Sequence, residues 1–107
     1  MKYVLIVIAA LLVSAFSTTV LAGDAAAGKT VYMQCQACHG ANGEGNQMLK
    51  APKVAGQHAW YLESALKKFK SGARGAGDPE AATMIPFATM LNDKQMADVS
   101  AYMASLK

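Results

Sequence analysis

Both cysteines of the 107-residue chain lie three positions apart, in Cys35-Gln36-Ala37-Cys38, and one of its two histidines, His39, follows directly. This cluster constrains the fold more than any other feature because the chain around it is short. Domains of about 80 residues or fewer bury too little apolar surface to be secure alone, and they usually recruit disulfides, metals or cofactors. A bond between Cys35 and Cys38 would close too small a loop to restrain much of the chain. A cofactor is therefore expected on size alone.

The length that matters is set by the N-terminus. Lys2 supplies one positive charge, residues 4–13 are an unbroken apolar run, and Val20-Leu21-Ala22 places a small residue where a signal peptidase would cut before Gly23. Residues 1–22 read as a signal peptide cleaved after Ala22, and residues 23–107 as one domain exported to the periplasm. A retained membrane anchor is the competing reading, since only Ser14, Ser17, Thr18 and Thr19 interrupt residues 4–22. The polar cluster and the abrupt polarity from Asp24 favour removal. Removal leaves 85 residues, with nine Lys or Arg against seven Asp or Glu, a net charge of +2. That excess is too small for a nucleic-acid-binding face.

No repeat or alternating strand pattern is visible. Three segments carry helical spacing, so the fold class is all-α: three main helices joined by long glycine-rich loops. The first spans residues 25 to about 35, capped by Asp24, with Gly28, Val31, Tyr32 and Cys35 on one face. Residues 39–57 form a long loop containing Pro52, of a kind that is usually wrapped on something. The second helix covers roughly residues 58–70, with a stripe of Leu62, Ala65, Leu66 and Phe69, a Glu63–Lys67 pair on its outer face, and a stop at Ser71-Gly72. Lys67, Lys68 and Lys70 gather at its end, where they are either a solvated face favoured by the helix dipole or a docking patch. Residues 72–83 read as another loop. Asn92 and Gln95 then form a capping box, Leu91 and Met96 a hydrophobic staple, and Met96, Val99, Tyr102, Met103 and Leu106 the buried stripe of the last helix.

Cys-x-x-Cys-His is the pattern of covalent c-type haem attachment. Two thiols on one helical turn can reach the two vinyl groups along one porphyrin edge, and the next residue offers its imidazole to the iron. Cys35 and Cys38 would form the thioether bonds, with His39 the axial ligand. Other readings use the same residues. A thioredoxin-like pair needs a βαβ context that the sequence lacks. Zinc held by Cys35, Cys38, His39 and His58 is disfavoured because adjacent Cys38 and His39 are poorly placed to close one tetrahedron. A structural disulfide would leave the glycine-rich loop and the small core unexplained.

The sixth iron position separates electron carriers from oxygen chemistry. Of the seven methionines, Met84 is favoured: Pro86 is expected to exclude helix and to hold the chain extended, laying the thioether on the haem face. Met90 is the alternative, and His58 a weaker bis-histidine partner. Met96 and Met103 read as packing residues.

These residues resemble a class I c-type cytochrome, most closely one haem domain of the two-haem cytochromes of the c-four type. The likeness rests on GKTVYMQCQACHG, PKVAGQHAWYLESALKKFKSGAR and MIPFATMLNDKQMADVSAYMASL. It implies the class I fold wrapped around one covalent haem c, and axial ligands His39 and Met84. It further implies that the Pro52 carbonyl accepts the second imidazole proton, and that the first and last helices cross at Gly28 beside Tyr32 and Tyr102. Only one haem motif is present, and the short stretch 72–83 puts a propionate role for Arg74 in doubt. The function implied is non-enzymatic: a periplasmic electron carrier between a quinol-oxidising complex or dehydrogenase and a terminal oxidase or reductase. A dedicated haem subunit of a larger dehydrogenase or oxidase complex, and an open-iron enzyme or gas sensor, are the other readings. The sequence leaves the oligomeric state open.

Overall fold

The computed structural model describes residues 23–107. Within them lie five α-helices, α1 (Ala25–Tyr32), α2 (Gln36–His39), α3 (Ala59–Ser71), α4 (Met84–Thr89) and α5 (Asp93–Ser105), with a 3-10 turn at Ala81–Thr83 before α4. No strand occurs among the described residues, only an isolated bridge between Asn46 and Ala51. The all-α expectation therefore holds, with α1, α3 and α5 as the main helices. Residues 1–22, on which the leader reading falls, lie outside the described residues.

Each main helix begins and ends for a local reason. One carboxylate oxygen of Asp24 accepts the amides of Ala26 and Ala27 at the start of α1. Asn92 and Gln95 complete the reciprocal capping box on α5. Gly72 closes α3 in the left-handed region, at φ 78°. The first helix is shorter than its spacing predicts. The amides of Met33, Gln34 and Cys35 reach back three residues, to the carbonyls of Thr30, Val31 and Tyr32. This tighter winding ends α1 at Tyr32, and α2 restarts the helix around the cysteines.

α5 is the central element, packing on α1 and α3, while α3 also packs on α4. Leu62, Leu66 and Phe69 of α3 meet Met96, Val99 and Met103 of α5 in the core, with Tyr32 and Leu91. The Leu91–Met96 staple is thus buried on both sides. At the α1–α5 crossing, a Cβ on Gly28 would stand 1.9 Å from the Asp98 carbonyl oxygen and 2.9 Å from the Tyr102 Cβ, so only glycine permits the approach. The Tyr32 and Tyr102 rings close the crossing, with centroids 5.3 Å apart.

Asp98, buried on α5, ties the start of α1 to this crossing. Its carboxylate accepts the Asp24 amide at 2.8 Å and the Lys94 ammonium at 2.6 Å. The Lys94 hydrogen bond, followed by the Asp24 amide, holds the Asp98 carboxyl below its usual range. A depressed folded-state pKa contributes stability above the unfolded value, about 4, and this is lost as the pH falls through the folded value. Acid titration of thermal stability should show that loss in the parent protein. In Asp98→Asn the acid limb should be shallower and stability at neutral pH lower.

Candidate cofactor site

The motif is presented by the single turn α2. Cys35 occupies its N-cap position, and the amides of Cys38 and His39 both bond to the Cys35 carbonyl, at 3.3 and 2.9 Å. Three-residue spacing on such a turn sets the two sulfur-bearing side chains over one another. Both cysteines are half-buried free thiols. Burial first, and the neighbouring Cys38 second, push the Cys35 thiol up to about 11. A thiol-exchange nucleophile shows the opposite shift, so the thioredoxin-like reading finds no support. The Tyr32 hydroxyl donates to the Gly40 carbonyl and joins α1 to the end of the motif.

The loop after the motif is ordered by its own backbone bonds. Asn46 and Ala51 exchange two, at 2.8 and 3.0 Å, the amides of Val54 and Ala55 share the Gly43 carbonyl, and the Gly56 amide bonds to Met103 of α5 at 3.0 Å. Gly45 sits at φ 84°, and a Cβ there would meet the Lys53 amide nitrogen at 2.7 Å. So folded, the loop delivers the Pro52 carbonyl to His39, with Nδ1 and the carbonyl oxygen 2.8 Å apart. His39 is 7% exposed. With Nδ1 donating to Pro52, Nε2 remains as the nitrogen able to bind a metal.

Cys35, Cys38, His39, Pro52 and Met84 line one cavity of about 390 Å³. Its apolar wall includes Leu62, Leu66, Phe69, Val99 and Met103, which are also core residues. Met84 reaches the cavity from a backbone other than the one expected. It opens helix α4 rather than an extended strap. Pro86 is only the third residue of that helix, where its missing N–H would have had no intrahelical partner, so the proline is tolerated in the first turn.

The remaining candidates separate clearly. Met90 is 61% exposed and is absent from the cavity wall. His58 precedes α3 with its ring stacked on Trp60, centroids 5.7 Å apart, and it too is absent from the wall. Among the described residues no group of three His, Cys, Asp or Glu is placed to hold a metal ion together, so the zinc reading lacks a site. Sequence reasoning assigned Met103 to packing alone, and periodicity cannot show that the core stripe of α5 is also a cavity wall. Arg74 lies in the wall as well, its guanidinium 4.7 Å from the Phe69 ring centroid. Two of the three lysines gathered at the end of α3 already have partners: Lys67 pairs with Glu63 at 3.0 Å, and Lys70 donates to the Leu91 carbonyl at 2.6 Å.

The cytochrome c family model matches residues 25–107. The chain belongs to the cytochrome c family. It is 45% identical over 84 residues to cytochrome c-554(548) of Halomonas halodenitrificans, covering 78% of this chain and 98% of that one. Identity to cytochrome c-554(547) of Halothiobacillus neapolitanus is 43% over 93 residues, covering 80% of this chain and all of the relative. Among solved structures, reduced cytochrome c4 from Pseudomonas stutzeri superposes with a TM-score of 0.68 at 32% identity, over 78% of this chain and 48% of that one. The fold is the class I cytochrome c fold. The cofactor of this cytochrome is covalent haem c, and the single Cys-x-x-Cys-His motif provides for one such group. The cavity fits it: two free thiols, an imidazole with one nitrogen already bonded, a thioether and an apolar wall converge there.

Proposed function

We propose that this cytochrome is an exported, periplasmic carrier of single electrons, with Cys35 and Cys38 holding the haem and His39 and Met84 as axial iron ligands. The observation that carries the proposal is the shared cavity: a histidine anchored by Pro52 and Met84 line it, while Met90 and His58 do not. When bound, haem c supplies reversible one-electron exchange at its iron. The protein's part is to hold the ligands still. The Pro52 carbonyl fixes the His39 ring and its tautomer and raises the basicity of Nε2. Leu62, Leu66 and Val99 exclude water from the site, and Met84 offers a sulfur that favours the reduced iron. With His39 and Met84 both holding the iron there would be no vacancy for substrate, as a carrier rather than an enzyme or gas sensor requires.

The periplasmic location rests on residues 1–22 read as a cleaved leader. The partners implied are a quinol-oxidising complex or a dehydrogenase as donor and a terminal oxidase or reductase as acceptor. Optical spectra of the haem-loaded protein test the ligation. The ferric form should show the weak near-infrared sulfur-to-iron charge-transfer band, retained in Met90→Ala and absent in Met84→Ala. Ferrous parent protein should resist carbon monoxide at neutral pH, and Met84→Ala should bind it. A band that survives Met84→Ala would reassign the ligand.

A further inference from the structure

Trp60, the only tryptophan of the chain, is 71% exposed and does not line the haem cavity. Its ring has two aromatic neighbours: His58 stacks on it with an interplanar angle of 18°, and Tyr61 meets it edge-on with centroids 6.1 Å apart. An exposed aromatic ring already in contact with its neighbours suits an interface anchor, because less side-chain freedom is left to lose on association. Trp60 heads a shallow groove that runs the length of α3 and continues through Glu63, Ser64, Lys67, Lys68 and Ser71. These six occupy one helical stripe, turned away from the core stripe of Leu62, Leu66 and Phe69.

From this stripe we infer that the outer face of α3 docks a second copy of the same chain, helix against antiparallel helix about a two-fold axis. Such an interface must be self-complementary. An axis crossing α3 at the level of Ala65 and Leu66 sets Trp60 against Ser71 of the second copy, Glu63 against Lys68, and Ser64 against Lys67. Each pairing is favourable. The indole meets the smallest side chain of the stripe, next to Gly72, around whose Cβ position no atom lies within 4 Å. Glu63 meets an opposite charge. Lys68 forms no ion pair among the described residues, and Glu63, whose Oε1 is held by Lys67 of its own helix, has its other carboxylate oxygen left to offer across the axis. The serines allow the two backbones to approach.

One helix pair buries less than the ~1,200 Å² of stable complexes, so the association is expected to be weak and reversible, to be sought between about 1 μM and 1 mM protein. Sedimentation velocity of the haem-loaded mature protein across that range should show a reversible monomer–dimer equilibrium. Trp60→Ala should weaken it at least tenfold with the visible spectrum unchanged. Lys68→Glu, which sets like charges opposite one another twice in each dimer, should weaken it similarly. The double variant Glu63→Lys with Lys68→Glu should restore association. A parent protein that stays monomeric throughout, including one that associates only with a different protein, would overturn the inference. So would a dimer indifferent to Trp60→Ala and Lys68→Glu.

Discussion

Gly28→Ala should destabilise the haem-loaded protein by about 3 kcal/mol or more, in the range reached when extra atoms are forced into a close-packed contact. In an exposed helix the same change stabilises by about 1 kcal/mol, because alanine has the better helix propensity. The opposite sign is expected here because the added methyl stands 1.9 Å from the Asp98 carbonyl oxygen. A backbone atom cannot swing aside, so α1 and α5 must separate by about 1 Å or more to restore ordinary contact distances. Separation loosens the Tyr32–Tyr102 contact and the Asp24–Asp98 tie together. Guanidinium unfolding monitored by far-ultraviolet circular dichroism should show a lower midpoint with an unchanged slope. A midpoint equal to or above that of the parent would mean that the helices do not cross at Gly28.

The double substitution Cys35→Ser with Cys38→Ser should cost more than the pigment. The core side chains Leu62, Leu66, Phe69, Val99 and Met103 are also the wall of the candidate haem cavity. Without the haem those apolar side chains line a space of about 390 Å³ that water can enter, and losing their burial is costly at about 25 cal/mol per Å². A domain of this size has roughly 4–13 kcal/mol of total stability. The variant should therefore carry no covalent haem by the pyridine haemochrome assay and should have lost most of its helical dichroism. A colourless variant with native helix content would show that the chain builds its core without the cofactor.

The features legible in the sequence were those whose causes are local. The capping box at Asn92 and Gln95, the stop at Gly72 and the Glu63–Lys67 pair depend on spacings of a few residues, and the structure has them; of the expected core stripes, Leu62, Leu66, Phe69, Met96, Val99 and Met103 are buried, while Ala65, Tyr102 and Leu106 are half-buried. The spacing of Cys35, Cys38 and His39 asks for only one helical turn, and α2 supplies that turn. Errors arose where a residue's effect depends on its position within an element. Pro86 reads as a helix breaker, yet the 3-10 turn at Ala81–Thr83 leads straight into α4 and leaves the proline in the tolerant first turn. The early end of α1 comes from a change in winding at Met33, which the apolar pattern does not register. Lys70 is exposed, as its position suggests, but its hydrogen bond was not legible because the acceptor, the Leu91 carbonyl, lies 21 positions away. The double role of Met103 depends on how α5 lies against the cavity, which only the assembled fold reveals.

Nuclear magnetic resonance of the ferrous protein, its methionine methyl groups labelled with carbon-13, tests the central claim most directly, since a methyl lying over the face of a porphyrin is shifted far upfield by the ring current. One methyl signal should be displaced in this way in the parent protein, remain in Met90→Ala and vanish in Met84→Ala. A spectrum with no displaced methyl, or one whose displaced signal survives Met84→Ala, would contradict axial ligation by His39 and Met84.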